Sequence, residues 1–177
     1  MEPRTHSAIR VGPGCKIGDD VQIVLHGGTL LLGHAVDVRA RCVFEVGGRL
    51  EVGSRTVVSY GTTFHCDDAI TVGSMVAVSE YCTLADVSHT HDGPHEFVGD
   101  NVKTSPIDVG DDAWLGAKVT VVRGVHIGSG SVIGANSVVV KDVPEGHLAS
   151  GVPAQIVRPV GDRRTAAVPT STTVRAR

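Results

Sequence analysis

The stretch VGDDAWLGAKVTVVRGVHIGSGSVIGANSVVV, Val109 to Val140, carries an aliphatic residue at every sixth position: Val109, Leu115, Val121, Ile127, Ile133 and Val139. Glycine follows four of them, at 110, 116, 128 and 134. Six is not a multiple of 3.6, so the pattern draws no stripe along a helix, and it is not simple alternation either. It fits short strands joined by tight corners, with three six-residue sides per coil and the aliphatic residue pointing into a triangular prism. Gly, Asp, Asn or Ser is expected at each corner, where positive φ or a local side-chain hydrogen bond is needed. Eighteen residues then close one turn.

The same step extends outward to Val52-Gly53, Val58-Ser59 and Phe64-His65, and to Val11-Gly12 and Ile17-Gly18 near the start. A second repeat overlies it. GGTLLLG (Gly27 to Gly33), GGRLEVG (Gly47 to Gly53) and DDAITVG (Asp67 to Gly73) begin 20 residues apart, which is one 18-residue turn plus a two-residue extrusion at the GG or DD corner. Stacked coils of this kind bury their faces against their neighbours and make a solenoid. Composition agrees: 31 valines against 8 leucines, with three Phe, two Tyr and one Trp, favour strands over a helical bundle and leave too little bulk for an ordinary sandwich.

A net charge of −3 offers no basic field for general nucleic-acid binding. No apolar run reaches the roughly 18 to 20 residues that span a bilayer, and MEPRTHSAIR lacks the apolar region of a secretion signal, so a cytoplasmic protein is expected. Cys15, Cys42, Cys66 and Cys82 form no CxxC pair and read as reduced core fillers.

The period fails between Leu84 and Ile107, where Gly93, Pro94 and Pro106 mark a polar loop extruded from a corner, residues 86–106. The reading gives a lead-in at 1–8, a solenoid domain over 9–160, and a polar, unpatterned tail at 161–177 expected to be disordered. Pro144 ends the regular repeat, and GVPAQIVR (Gly151 to Arg158) reads as a last coil or cap. The loop gathers His89, His91, Asp92 and His95. Imidazole titrates near neutrality and suits proton abstraction from a hydroxyl or amine, although solvated loop histidines without a role have the same composition.

TLADVSHTHDGPHE (Thr83 to Glu96) resembles the histidine-bearing loop of hexapeptide-repeat acetyltransferases of the galactoside and maltose type. The chain from Asp111 to Pro159 resembles the same family in its W-L-G step, its V-I-G-A-N-S-V-V coil, its K-D-V-P exit and its G-V-P-A close. The resemblance implies an all-β fold, a left-handed parallel β-helix with one extruded loop and a short C-terminal cap. It implies acetyl-CoA as acyl donor, a sugar or saccharide hydroxyl as acceptor, and His89 as general base without a covalent acyl-enzyme. Cofactor contacts implied in the same way are Trp114 beside the thiol end, Ala117 and Ala135 presenting backbone to the pantetheine, and Lys141 and Arg158 toward the nucleotide phosphates. A homotrimer with sites between subunits is implied too, without a metal.

Two features of the family pattern are missing: SYGTTFHCDD places Tyr60 and Thr62 where an acceptor-placing asparagine is found, and the repeat begins without an N-terminal helical segment. Asp86 and Asp92 are both open as orienting partners of His89. N-acetylation of an amino sugar or antibiotic is an alternative. So is a zinc enzyme like the γ-class carbonic anhydrases, with His89, His91 and His95 as ligands, and so is a non-catalytic β-helix scaffold.

Overall fold

A computed structural model describes residues 7–89 and 102–161. Every regular element in it is a strand. Three parallel sheets wrap one prism. The first face stacks Ala8–Val11, Thr29–Leu32, Arg49–Val52, Ala69–Val72, Ile107–Val109 and His126–Ile127. The second stacks Lys16–Ile17, Asp37–Val38, Val57–Val58, Ala77–Val78, Trp114–Leu115 and Val132–Ile133, and ends in the antiparallel pair His147–Gly151 and Ala154–Pro159, the C-terminal cap. The third stacks Gln22–Leu25, Val43–Val46, Thr63–Cys66, Thr83–Ala85, Thr120–Val122 and Val138–Val139.

The six-residue step is the inward step. Val109, Leu115, Val121, Ile127, Ile133 and Val139 are all fully buried. Register follows the two periods read from the sequence: Thr29 pairs with Arg49 and Arg49 with Ala69, 20 residues apart, whereas Trp114 pairs with Val132 and Thr120 with Val138, 18 apart. Equivalent residues therefore stack, and the rings of Phe44 and Phe64 lie parallel with centroids 5.2 Å apart. Such a stacked pair adds about 0.5–1.5 kcal/mol beyond its buried area. Among the described residues no coil lies beneath the first, and Ile9, Val11 and Ile17 are exposed although their successors are core.

Small buried side chains tie one coil to the next. Thr56 Oγ1 donates to the Gly73 carbonyl at 2.8 Å and Thr62 Oγ1 to that of Ser79 at 3.0 Å, while the thiols of Cys42 and Cys82 reach the carbonyls of Ser59 and Gly116 at 3.1 and 3.2 Å. Threonine and cysteine are thus equivalent at these positions. No buried side-chain polar atom among the described residues lacks a partner.

The corners depart from the sequence expectation. Positive φ is adopted by Ala35, Arg55 and Met75 on one edge and by Arg41, Tyr81 and Lys118 on another, besides the Gly, Asp and Asn residues expected. Each of these N–H groups donates to a carbonyl of the preceding coil at 2.8–2.9 Å, for example Tyr81 to Tyr60 and Lys118 to Glu80. The left-handed conformation costs roughly 1–2 kcal/mol, and a repeated inter-coil bond of about 1 kcal/mol offsets much of it. Packing inside the prism does not choose the corner residue.

Candidate active site

Between Thr83–Ala85 and Ile107–Val109 the chain leaves the coil at the edge between the third and first faces. The departing strand Val87–His89 and the returning strand Val102–Thr104 form an antiparallel hairpin, with His89 opposite Val102. His89 is exposed at the far end of that strand. His91, Asp92 and His95 lie outside the described residues.

Three sets of bonds hold the hairpin's stem. Asp86 is fully buried, and its carboxylate accepts the backbone N–H of Asp67 at 2.8 Å and of Asp68 at 3.0 Å. Its own N–H donates to the His65 carbonyl, and its carbonyl accepts the N–H of Ser105. Both its oxygens serve the DD corner of the preceding coil. Finally, Arg123 Nε donates to Ser88 Oγ at 2.8 Å, which ties the strand bearing His89 to the next coil.

Trp114, Ala117 and Ala135 stand together elsewhere. Trp114 opens a strand of the second face, is 53% exposed, and donates its indole N–H to Ser79 Oγ at 3.1 Å. Ala117 and Ala135 follow at equivalent corners of successive coils, on the edge between the second and third faces, where the Ala117 carbonyl accepts the N–H of Asn136 at 2.8 Å. Lys141 sits on the edge from which the hairpin leaves. Arg158 lies in the C-terminal cap opposite Leu148, its guanidinium donating to the Pro159 carbonyl at 3.0 Å. Within one chain the hairpin edge and the Trp114 edge are therefore different edges of the prism. Of the two residues standing in the asparagine's region, Thr62 is buried between coils and Tyr60 is exposed.

The buried thiols of Cys42, Cys66 and Cys82 are poor nucleophiles. Burial pushes Cys66 up to about 12, with the nearby Asp86 carboxylate adding to the effect, and pushes Cys82 up to about 11; it raises Cys42 as well. All four cysteines are free. Among the described residues no group of three or more His, Cys, Asp or Glu side chains is placed to hold a metal ion, and no helix is long and apolar enough to cross a membrane.

Sequence reading passed over Ser88, Lys103 and Arg123 at the hairpin stem. The spacing of 18 between Arg123 and Lys141, one coil, was the available signal.

Stacked hexapeptide coils interrupted once by a histidine-bearing hairpin define a β-helix protein of the hexapeptide class. Residues 106–141 match the bacterial transferase hexapeptide family, six repeats. The galactoside O-acetyltransferase of Escherichia coli (strain K12) is 34% identical over 122 residues, which are 68% of this chain and 59% of that one. The hexapeptide-repeat-containing acetyltransferase VCA0836 from Vibrio cholerae, complexed with acetyl coenzyme A, is 26% identical with a TM-score of 0.61, over 86% of this chain and 71% of that one. The polySia-specific acetyltransferase NeuO shares the fold alone, at 22% identity and a TM-score of 0.62, over 92% and 87% of the two chains. The chain carries the bacterial transferase hexapeptide repeat and is similar to the hexapeptide-repeat acetyltransferases, and its fold is the left-handed parallel β-helix. It spans 59% of the length of its curated Escherichia coli relative.

Proposed function

We propose that this chain moves an acetyl group from acetyl-CoA to a hydroxyl of a sugar or saccharide acceptor, with His89 as general base. The observation that carries the reading is the placing of His89, exposed on a hairpin that Asp86 and Arg123 bind to a rigid stack of coils. A base must be held in reach of its proton and still be open to substrate. The relatives support the donor: one is named as a galactoside O-acetyltransferase, and another holds acetyl coenzyme A.

In this reading His89 takes the proton of the acceptor hydroxyl as its oxygen attacks the thioester carbonyl. The C–S bond then breaks, the acetyl ester forms, and the imidazolium returns the proton to the CoA thiolate. Backbone N–H donors stabilise the oxyanion. Trp114 flanks the thiol end of the donor, the Ala117 and Ala135 corners admit the pantetheine closely, and Lys141 and Arg158 meet its phosphates. Because His89 and Trp114 occupy different edges, two chains supply the two halves of a site, which fits a homotrimer. A cytoplasmic setting keeps the four thiols reduced.

The test is acetyl-CoA consumption across a panel of sugars and nucleotide sugars. His89→Ala is expected to lower kcat about 10²- to 10⁴-fold with unchanged thermal stability. Full activity in that variant, or stoichiometric zinc in a protein that consumes no acetyl-CoA, would overturn the reading.

A further inference from the structure

We infer that the edge between the second and third faces holds the acceptor as a neutral pyranose, stacked on Tyr81 beside Tyr60 and hydrogen-bonded by Arg41 and Glu80, in a pocket next to Trp114. The inference rests on the transferase reading in one respect, that Trp114 flanks the thiol end of the donor.

Both tyrosines of the chain and its one tryptophan stand at this edge, and all three are about half exposed, Tyr60 45%, Tyr81 52% and Trp114 53%. Phe44 and Phe64 are buried in the core, so the rings held outside are those with a polar atom, which suit a surface that binds. The Tyr81 ring has a fixed seat. Its backbone N–H donates to the Tyr60 carbonyl at 2.8 Å, and a Cβ added at Gly61, one coil beneath, would come within 2.7 Å of two Tyr81 ring carbons. Arg41 and Lys118 adopt positive φ at the equivalent corners. The corner therefore does not itself require glycine; what Gly61 provides is room for the ring to lie against the backbone.

A pocket of about 470 Å³ opens here, lined by Arg41, Ser59, Tyr60, Glu80 and Tyr81, and its size suits a small ligand. The guanidinium and the carboxylate in the lining cancel in charge, and among the described residues neither side chain is engaged in a hydrogen bond or ion pair. A pyranose matches this lining. Its axial C–H groups meet the negative face of a phenol ring, while hydroxyls at its rim donate to Glu80 and accept from Arg41. A phosphate or carboxylate would instead face Glu80. The donor's direction identifies the sugar as the acceptor. The carbonyls of Tyr60, Glu80 and Ala117 accept the same bond from the next coil, so the three are equivalent residues of successive coils. In the proposed donor path the pantetheine passes Ala135 and Ala117 and ends at Trp114. The Trp114 indole then reaches Ser79, the residue before Glu80, so the pocket begins where the thioester ends. In a two-chain site the hairpin bearing His89 meets this edge of the next chain, which brings base, sugar hydroxyl and thioester together.

The experiment uses methyl β-glucoside and methyl β-galactoside as probes, with galactitol as an open-chain control that carries hydroxyls but no ring face. Wild type, Tyr81→Ala and Tyr81→Phe are compared. The ring resonances of the two tyrosines are followed during titration, a readout independent of turnover. Saturable shifts with a glycoside and none with galactitol are expected. Tyr81→Ala should weaken glycoside binding, read at Tyr60, about tenfold, whereas Tyr81→Phe, which keeps the ring, should hold it within about threefold. In turnover Tyr81→Ala should raise KM for the glycoside about tenfold and leave KM for acetyl-CoA within about twofold. No response to either glycoside, an equal response to galactitol, or a Phe variant as impaired as the Ala variant would overturn the subsite. So would a Tyr81→Ala protein of lower sedimentation coefficient, since the ring would then belong to a contact between copies. Glycoside binding without any acetyl-CoA consumption would sink the transferase reading and leave the saccharide pocket standing.

Discussion

Asp86 accepts the amide hydrogen of Asp67 through one carboxylate oxygen, at 2.8 Å, and uses the other for Asp68. One side chain thereby closes the corner of one coil and fixes the point at which the hairpin leaves the next. Asp86→Ala removes two charge-assisted bonds and leaves two amide donors unsatisfied, so a loss of about 3 kcal/mol is expected. Urea denaturation with an unchanged m-value checks it. A loss below about 0.5 kcal/mol, the range of a neutral surface change, would mean the bonds contribute nothing.

Close stacking of coils sets the cost of side chains at the strand ends. A Cβ added at Gly53 would lie 2.4 Å from the carbonyl carbon of Gly73, so Gly53→Ala forces strands apart and is expected to cost about 1–3 kcal/mol. Gly130 has φ of +63° with nothing within 4 Å of an added Cβ, and Ala35, Arg55 and Met75 hold the same conformation at equivalent corners. Gly130→Asn should accordingly change stability by less than about 0.5 kcal/mol. Unfolding midpoints of the two variants, compared side by side, test the contrast.

Raised thiol values make alkaline pH destabilising. Above the ordinary value of 9.0 the unfolded chain loses protons that folded Cys82 keeps until about 11 and Cys66 until about 12. The unfolded state then binds fewer protons than the native one, so stability falls as pH rises through this window, by up to about 1.4 kcal/mol per pH unit for each thiol. Below pH 9 the contribution is complete. Denaturation midpoints at pH 8, 9.5 and 10.5 should decline in wild type and decline less in Cys66→Val.

The exposed indole of Trp114 separates structure from binding. Among the described residues its one side-chain polar contact is with Ser79 Oγ at 3.1 Å, so Trp114→Ala should shift stability by no more than about 0.5 kcal/mol. If the ring flanks the donor, KM for acetyl-CoA rises about tenfold, near 1.4 kcal/mol. An unchanged KM would remove Trp114 from the donor groove.

The scaffold was legible because its period is short and its core position invariant in kind: an aliphatic at each sixth residue needs no knowledge of distant partners. The gap in that period drew attention to His89, His91, Asp92 and His95 together, and only the family resemblance chose His89 among them. The anchoring of the hairpin was hidden. Ser88 and Arg123 are 35 residues apart, and they meet only because the extruded segment is excluded from the count of coils. The separation of the His89 and Trp114 edges was hidden too, since it depends on following two coil lengths, 20 and 18 residues, around three faces. Corner composition misled in one respect: a backbone bond, rather than the intrinsic preference of Gly or Asn, holds residues such as Arg55 and Tyr81 at positive φ.

Those corners make the edges of the prism a rack. Arg41, Gly61, Tyr81 and Lys118 hold the corners of successive coils of one edge, spaced by the strand separation of about 4.8 Å, and none of their side chains is needed by the interior. Recognition along an edge can therefore be rewritten peg by peg, as a linear code of side chains, while the frame that carries it goes on folding unchanged.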